Sequence, residues 1–380
     1  MEEQETDKQG IYNVGALCYM NAFMQMLFRL KVFKNAIFNM GSEEKIIYEL
    51  QRLFLHLEHS KRPTSLSKLV EAFGWTRETT FVQQDIQEFC CLLMDNLEKK
   101  FSDKKDFINP FAHSSVKAED PKRNLIKSLF NGETEQVISC RNVDYQSTRK
   151  ENFIDIQLSL KSYTKTFNCI EDSLKEFLAK EELTGDNKYA TDQWGKQDAD
   201  RRVRFVELPK VLMFHLRRCE FDFNTETNQK IKHSFEFPQV LDMNQFREKE
   251  LEIPGGNPYK LYGLFVHHGH DGIAGHYTVF LQENGEWFEF DDEQVQKVDW
   301  EFVKRNSYGG TLSDFSLENQ KLRLIRKNKK TMSRAYMLIY IDQRYEKGKY
   351  KYIVKLRITW ICKLPKFKRN FEISSKLNFE

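Results

Sequence analysis

The 380-residue sequence lacks a long apolar run, a cysteine framework and any large excess of charge, and each absence closes off a class of protein. Its longest uninterrupted apolar run, Ala335 to Ile341, is seven residues, whereas a membrane-spanning helix needs roughly 20. Met1 to Gln9 is polar and acidic, without the basic start and apolar stretch of a signal peptide. The seven cysteines are odd in number, only Cys90 and Cys91 adjoin, and no Cys-x-x-Cys occurs. That pattern predicts neither disulfides nor a structural metal, and it places the chain in a reducing compartment, cytoplasm or nucleus. Lys plus Arg total 59 against 56 Asp plus Glu, a net charge of +3, so nucleic-acid binding would need a local basic patch. No repeat of solenoid or propeller period is present.

What is there is ordinary for a globular protein: 40% hydrophobic and 30% charged residues, which excludes a disordered chain, a collagen and a coiled-coil rod. The length fits two domains or one large composite domain. Met20, Phe23, Met24, Leu27 and Phe28 have the spacing of one buried helix face, as do Ile86, Phe89, Cys90, Leu93 and Leu97. Ile46 to Leu57 is a third helix. Ser102 to Asn124 and Asp186 to Arg202 are polar and predict loops. Strands are expected at Gln136 to Val143, Phe153 to Leu160 and Val211 to Leu216, with a turn at Phe223 to Gln229. The densest strand signals come late, at Leu261 to His267, His276 to Gln282, Glu286 to Phe290 and Ala335 to Ile341. Helices first and a sheet last make an α+β protein. Two basic stretches, Lys321 to Arg334 and Arg344 to Arg369, flank the final strand. The second, in which Tyr350, Tyr352, Val354, Leu356, Ile358 and Trp360 alternate with mostly basic or polar residues, could form an amphipathic strand; it reads as a solvated tail, with a membrane-surface or nucleic-acid contact the alternative.

Three places carry chemistry. Cys18 follows Asn13-Val14-Gly15-Ala16-Leu17 at the start of the first helix, where the positive end of the helix dipole favours a thiolate. Gly15 lets the chain bend there, and the Asn13 amide is placed to donate across the bend. His276, in Gly275-His276-Tyr277, enters a strand from a glycine-bearing loop and suits a general base. A metal cluster of His267, His268, His270 and His276 is the competing reading, weakened by the lack of a thiolate nearby. Asp291, beside Asp292, ends the strand Trp287 to Phe290 and can orient an imidazole. A turn at Glu283 to Gly285 would bring it near His276.

Cys, His and Asp in that order, on an N-terminal helix and a late sheet, resemble papain-like thiol hydrolases. More specifically, the sequence resembles the ubiquitin-specific protease family of deubiquitinases. Asn13 to Asn21 is similar to that family's N-x-G-x-T-C-Y-M-N, and Gly275-His276-Tyr277 to its G-H-Y. Gln84 to Phe89 resembles Q-D-x-x-E-F, and Leu208 to Arg218 resembles L-P-x-x-L-x-x-H-L-x-R-F. Phe235-Glu236-Phe237-Pro238 and Ala335 to Tyr340 also fit. Gly74-Trp75, Gly185 to Tyr189 and Asn306 to Gly310 look most like the herpesvirus-associated subgroup.

The resemblance implies a papain-like fold with helical thumb, palm and β fingers, and a catalytic domain over 10–342 between a polar extension, 1–9, and a basic tail, 343–380. It leaves no room for a recruiting domain before it or a long array after it. It implies cleavage of the isopeptide bond after ubiquitin's C-terminal glycine. Cys18 is then the nucleophile, His276 the base and Asp291 its orienting acid, with Asp292 auxiliary and Asn13 at the oxyanion. Asp85 and Glu88, three apart on one helix face, would pair with arginines of the ubiquitin tail, and Trp75 and Tyr277 would contact ubiquitin. Leu17 replaces the usual Thr and Cys219 the usual Phe. Cys140, Cys169 and Cys219 are isolated, so the zinc of many relatives is not expected, nor any cofactor. A pseudo-enzyme that binds ubiquitin, or a protease for a ubiquitin-like modifier, remains an alternative.

Overall fold

The computed structural model describes residues 6–40, 44–76, 83–102, 125–162, 164–222, 226–269, 275–309 and 333–347. A short strand β1 (Ile11–Tyr12) leads into α1 (Cys18–Arg29), whose apolar spacing buries Met20, Phe23, Met24 and Leu27 completely. Next come α2 (Lys31–Asn39), α3 (Lys45–His59), β2 (Thr64–Ser65), α4 (Ser67–Ala72), α5 (Ile86–Ser102) and α6 (Leu125–Phe130). α2, α4 and α6 have nine residues or fewer, too short for a periodic pattern to reveal them. In this helical layer the α3 ring of Phe54 meets Phe28, Phe33 and Phe38 at centroid distances of 5.5, 6.3 and 6.3 Å.

Strands follow: β3 (Gly132–Cys140), β4 (Gln146–Phe153) and β5 (Asp155–Ser159), then helix α7 (Ile170–Phe177) and β6 (Glu181–Leu183). β7 (Tyr189–Thr191), β8 (Gly195–Gln197), β9 (Ala199–Glu207), β10 (Val211–Arg217), β11 (Cys219–Asp222), β12 (Thr227–Lys230) and β13 (Val240–Asp242) continue the chain. The last part holds β14 (Pro258–His268), β15 (His276–Glu283), β16 (Glu286–Asp291), β17 (Gln294–Val298), α8 (Trp300–Ser307), β18 (Ser333–Asp342) and α9 (Gln343–Lys347).

The central sheet runs β17-β16-β15-β14-β18-β10-β5, with β13 added to β14, and only β10–β5 is parallel. Both of its faces are covered. Val211, Met213, Val279, Leu281 and Ile339 pack on the helical layer. Their neighbours Leu212, Phe214, Phe280, Leu338 and Tyr340 point into a second core beneath α7 and α8. Double burial explains why the last strand is one continuous apolar run. Asn284 (φ 53°) and Gly285 (φ 88°) make the tight β15–β16 turn, the left-handed pair that such two-residue hairpins require.

One expectation changes. Asp186 to Arg202 is not a plain loop: it holds the β7–β8 hairpin and the start of β9. These strands carry polar side chains on exposed faces, so they lack the apolar alternation that marks a strand. Arg334, the last residue of the first basic stretch, is buried in β18 with its Nε donating to the Lys232 carbonyl at 3.3 Å. Residues 103–124, 223–225, 310–332 and 348–380, with most of the loop expected at Ser102 to Asn124, part of the turn expected at Phe223 to Gln229 and nearly all of both basic stretches, lie outside the described residues. Among those described, no helix is long and apolar enough to cross a membrane.

Replacing Phe54 by Ala removes a ring at the centre of the helical layer. We expect chemical denaturation to show a loss of about 3–5 kcal/mol; a loss below ~1 kcal/mol would mean that the layer does not depend on this ring.

Candidate active site

The site forms where the start of α1 meets the starts and ends of strands in the central sheet. Gly15 has φ +107°, a left-handed value that favours glycine and turns the chain ahead of the helix. The turn is closed by Asn13, whose Oδ1 accepts the Leu17 N–H at 3.0 Å. This reverses the expected polarity: across the bend the Asn13 amide accepts, and its Nδ2 donates instead to Asp292 Oδ2 at 2.9 Å. The reason is that helix starts leave backbone N–H groups in need of an acceptor.

Cys18 is the first residue of α1 and only 3% exposed. Its Sγ accepts from the Tyr277 N–H at 3.4 Å and lies 3.8 Å from Gln83 Nε2. His276 opens β15 beside it. The imidazole bonds Asp291 Oδ1 through Nε2 at 2.5 Å and also bonds the Cys18 side chain. Burial pulls the imidazole's pKa down, but the bonds to Asp291 and Cys18 outweigh it and push the value up to about 10. The register pairing Val279 with Phe290 makes His276 and Asp291 diagonal neighbours on one face of the β15–β16 pair.

Asp292 sits just past β16 at φ +53°, a strained value for a residue with a Cβ. Its carboxylate accepts from Asn21 Nδ2 at 2.7 Å and from Asn13 Nδ2, and lies 3.9 Å from His276 Nε2. Burial is the main cause that pushes its pKa above the usual carboxylate value, against those three partners. Its carbonyl accepts the Ile11 N–H at 2.8 Å. Gly10 lies so close that a Cβ there would come within 2.4 Å of the Glu293 carbonyl oxygen. Asp292 thus ties the Cys18 segment to the His276 sheet.

Two neighbours escaped the sequence pattern. Asn21 follows Cys18 by less than one helical turn and lies within the motif Asn13 to Asn21, but nothing in that pattern assigned it a role. Gln83 bridges the cleft, with Nε2 near the sulfur and Oε1 accepting the Gly275 N–H at 2.9 Å. Nothing in a glutamine placed just ahead of Gln84 to Phe89 signals such a contact.

Of the other residues singled out, Asp85 does not lie within a helix face. It precedes α5 and caps it: Oδ1 accepts the Gln87 and Glu88 N–H groups at 2.7 and 3.4 Å, and Oδ2 accepts from the Tyr336 hydroxyl. A short carboxylate before a helix satisfies the unpaired N–H groups of the first turn. Glu88 is exposed on that turn. Tyr277 is buried, 3% exposed, with its hydroxyl against the backbone of Ile86. Trp75 is half-buried and packs edge-on against Phe89 at 5.9 Å.

The histidine-rich stretch does not converge on an ion. His267 receives Lys230 Nζ at 2.8 Å, and His268 bonds Ser333 and Thr278, at 2.7 and 2.8 Å; His270 lies outside the described residues. His276, Asp291 and Asp292 are the only described trio whose ligand atoms lie within 4.8 Å. Their atoms are already engaged with one another, Cys18 and two asparagines. Cys140 lies in β3, Cys169 just before α7 and Cys219 in β11, and none of the three is in a disulfide.

The family model described as "Ubiquitin carboxyl-terminal hydrolase" matches residues 9–340. "Ubiquitin carboxyl-terminal hydrolase 15" of Schizosaccharomyces pombe is 34% identical over 315 residues, covering 81% of this chain and 26% of that protein. "Ubiquitin carboxyl-terminal hydrolase 7" of Drosophila melanogaster is 34% identical over 349 residues, 90% of this chain and 28% of that protein. "Ubiquitin C-terminal hydrolase 12" of Arabidopsis thaliana is 33% identical over 360 residues, 90% of this chain and 30% of that protein. The chain therefore spans about a quarter to a third of these relatives' length. A family match over most of the sequence, with a thiol, an imidazole and a carboxylate in contact at its centre, shows that the chain belongs to the ubiquitin carboxyl-terminal hydrolase family.

Proposed function

We propose that the chain is a cysteine-type deubiquitinase that hydrolyses the isopeptide bond after the C-terminal glycine of ubiquitin. One observation carries this reading: Cys18, His276 and Asp291 form a continuous bonded chain. In this reading the Cys18 thiolate attacks the carbonyl carbon, and the His276 imidazolium gives its proton to the departing lysine amine. His276 then takes a proton from water as the water cleaves the thioester, and Asp291 holds the ring throughout. The Cys18 N–H at the positive end of α1 and the second N–H of the Asn13 amide supply oxyanion donors. Asp292 acts as a positioning residue through Asn13 and Asn21.

Glu88 is the exposed carboxylate that meets a basic ubiquitin tail, while Asp85 shapes that contact by capping α5. Trp75 offers an edge to the substrate, and Tyr277 contributes through its backbone N–H, since its ring is buried. We assign residues 10–342 to the catalytic domain, with α1 to α6 as thumb, the central sheet as palm and the β4-β3-β9-β6 sheet as fingers of a papain-like fold. Among relatives the herpesvirus-associated subgroup fits the quoted motifs best. Free cysteines suit the cytoplasm or nucleus.

Ubiquitin bearing a C-terminal thiol-reactive electrophile should form a covalent adduct with the protein and none with Cys18→Ala. Absence of an adduct from both contradicts the proposal. Asp291→Asn should lower turnover about 10²–10⁴-fold. Because Asp291 raises the His276 pKa, its loss should also move the alkaline limb of the pH–rate profile to lower pH. An unmoved limb would remove Asp291 from this role. Glu88→Gln should raise KM a few-fold and leave kcat unchanged, as loss of an exposed ion pair worth about 0.2–1 kcal/mol would do. A change confined to kcat would contradict tail binding.

A further inference from the structure

At the opposite end of α1 from Cys18 lies a cavity of about 460 Å³ with no part in the chemistry above. That volume falls in the range of small-molecule sites. Its wall is apolar at Leu30, Val32 and Leu261, while Arg29, Lys31 and Lys260 bring three cationic side chains to it. Glu283 is the only acid among the lining residues, and it is already held by Lys8 at 2.5 Å.

Two donors on this wall stand unused among the described residues. The Arg29 side chain is only 6% exposed, yet its Nε has no hydrogen-bond partner; its nearest carboxylate oxygen, on Glu283, is 3.9 Å away. Nη1 alone is bonded, to the Gln25 carbonyl and side-chain oxygens. The Tyr262 hydroxyl is likewise buried without a partner. Buried donors of this kind are normally satisfied; the guanidinium charge is offset in part by the Phe290 ring, 3.9 Å from its Cζ, and by Glu283, but neither supplies the hydrogen bond that Nε lacks. Burial accordingly lowers the Arg29 pKa to about 10 in spite of Glu283. The first turn of the nine-residue helix α2 also lines the cavity through Lys31, Val32 and Phe33, and no side chain caps it. Its unpaired N–H groups add to the positive potential.

We infer that this cavity is a binding site for a small organic anion, a phosphate or carboxylate on an apolar body. The anionic head would be held by Arg29, Tyr262 and the start of α2, and the apolar body by the aliphatic wall. Neither an inorganic ion nor an uncharged hydrocarbon matches both halves of the lining. The site also joins the far ends of the two elements that begin with Cys18 and His276, since α1 ends at Arg29 and β15 at Glu283.

The test uses the full chain and three probes: phenyl phosphate, inorganic phosphate and phenol, titrated by calorimetry and by ligand-observed NMR. Phenyl phosphate should bind saturably and at least about tenfold more tightly than either fragment, the ratio expected when one charge-assisted hydrogen bond is at stake. Tyr262→Phe, which removes one hydroxyl, and the surface variant Lys31→Gln should each weaken it several-fold. Lys68→Gln, on a remote helix, should not. Equal binding of phenol and phenyl phosphate would overturn the inference, as would no saturable binding of phenyl phosphate up to its solubility. So would unchanged affinity in both Tyr262→Phe and Lys31→Gln. None of these readouts involves ubiquitin or Cys18, so failure here is separate from failure of the proposed activity.

Discussion

The carboxylate of Asp292 is the joint on which the site depends. It is held between Asn13 on one side of Cys18 and Asn21 on the other, while its backbone carbonyl anchors β1. Hydrogen bonds to a charged group contribute about 1.5–3 kcal/mol each, and these bonds span more than 270 residues of sequence. They oppose both the burial of a carboxylate and the left-handed backbone of Asp292. Together with the packing of α1 on β15 and β16, they hold the start of α1 against the end of β16.

The rest of the molecule makes this joint rigid. Because the central sheet is buried on both faces, its register cannot slip by one residue without turning Val279 and Leu281 away from the helical layer. The tight Asn284–Gly285 turn then fixes which residue of β16 lies beside His276. Such constraints set the imidazole and Asp291 to bonding distance before any substrate arrives. Preorganisation of this kind is how a protein places charge where a reaction needs it.

Much of this was legible in the sequence, for reasons that also mark the limit. α1 and α5 are long and amphipathic, and β10, β14, β15 and β18 are continuous apolar runs, so periodicity and composition reveal them. β4 and β9 are missed because ion pairs such as Lys150–Glu133 and Arg204–Glu135 cover them instead of apolar side chains. Cys18, His276 and Asp291 are identifiable by residue type and by the elements they begin or end. Asn21, Gln83 and the capping role of Asp85 are not, because each depends on a partner distant in sequence or on a backbone N–H that no pattern of letters displays. The cavity at Arg29 is hidden for the same reason: its lining gathers from six separate parts of the chain.

The most direct measurement of this account is the rate at which iodoacetamide alkylates Cys18 at neutral pH in the native protein and in Asp292→Ala, with circular dichroism to confirm that both are folded. If Asp292 joins the two halves of the site, the folded variant should lose His276's assistance to the sulfur and react at least about tenfold more slowly. Equal rates in two equally folded proteins would contradict the claim that this carboxylate brings thiol and imidazole together.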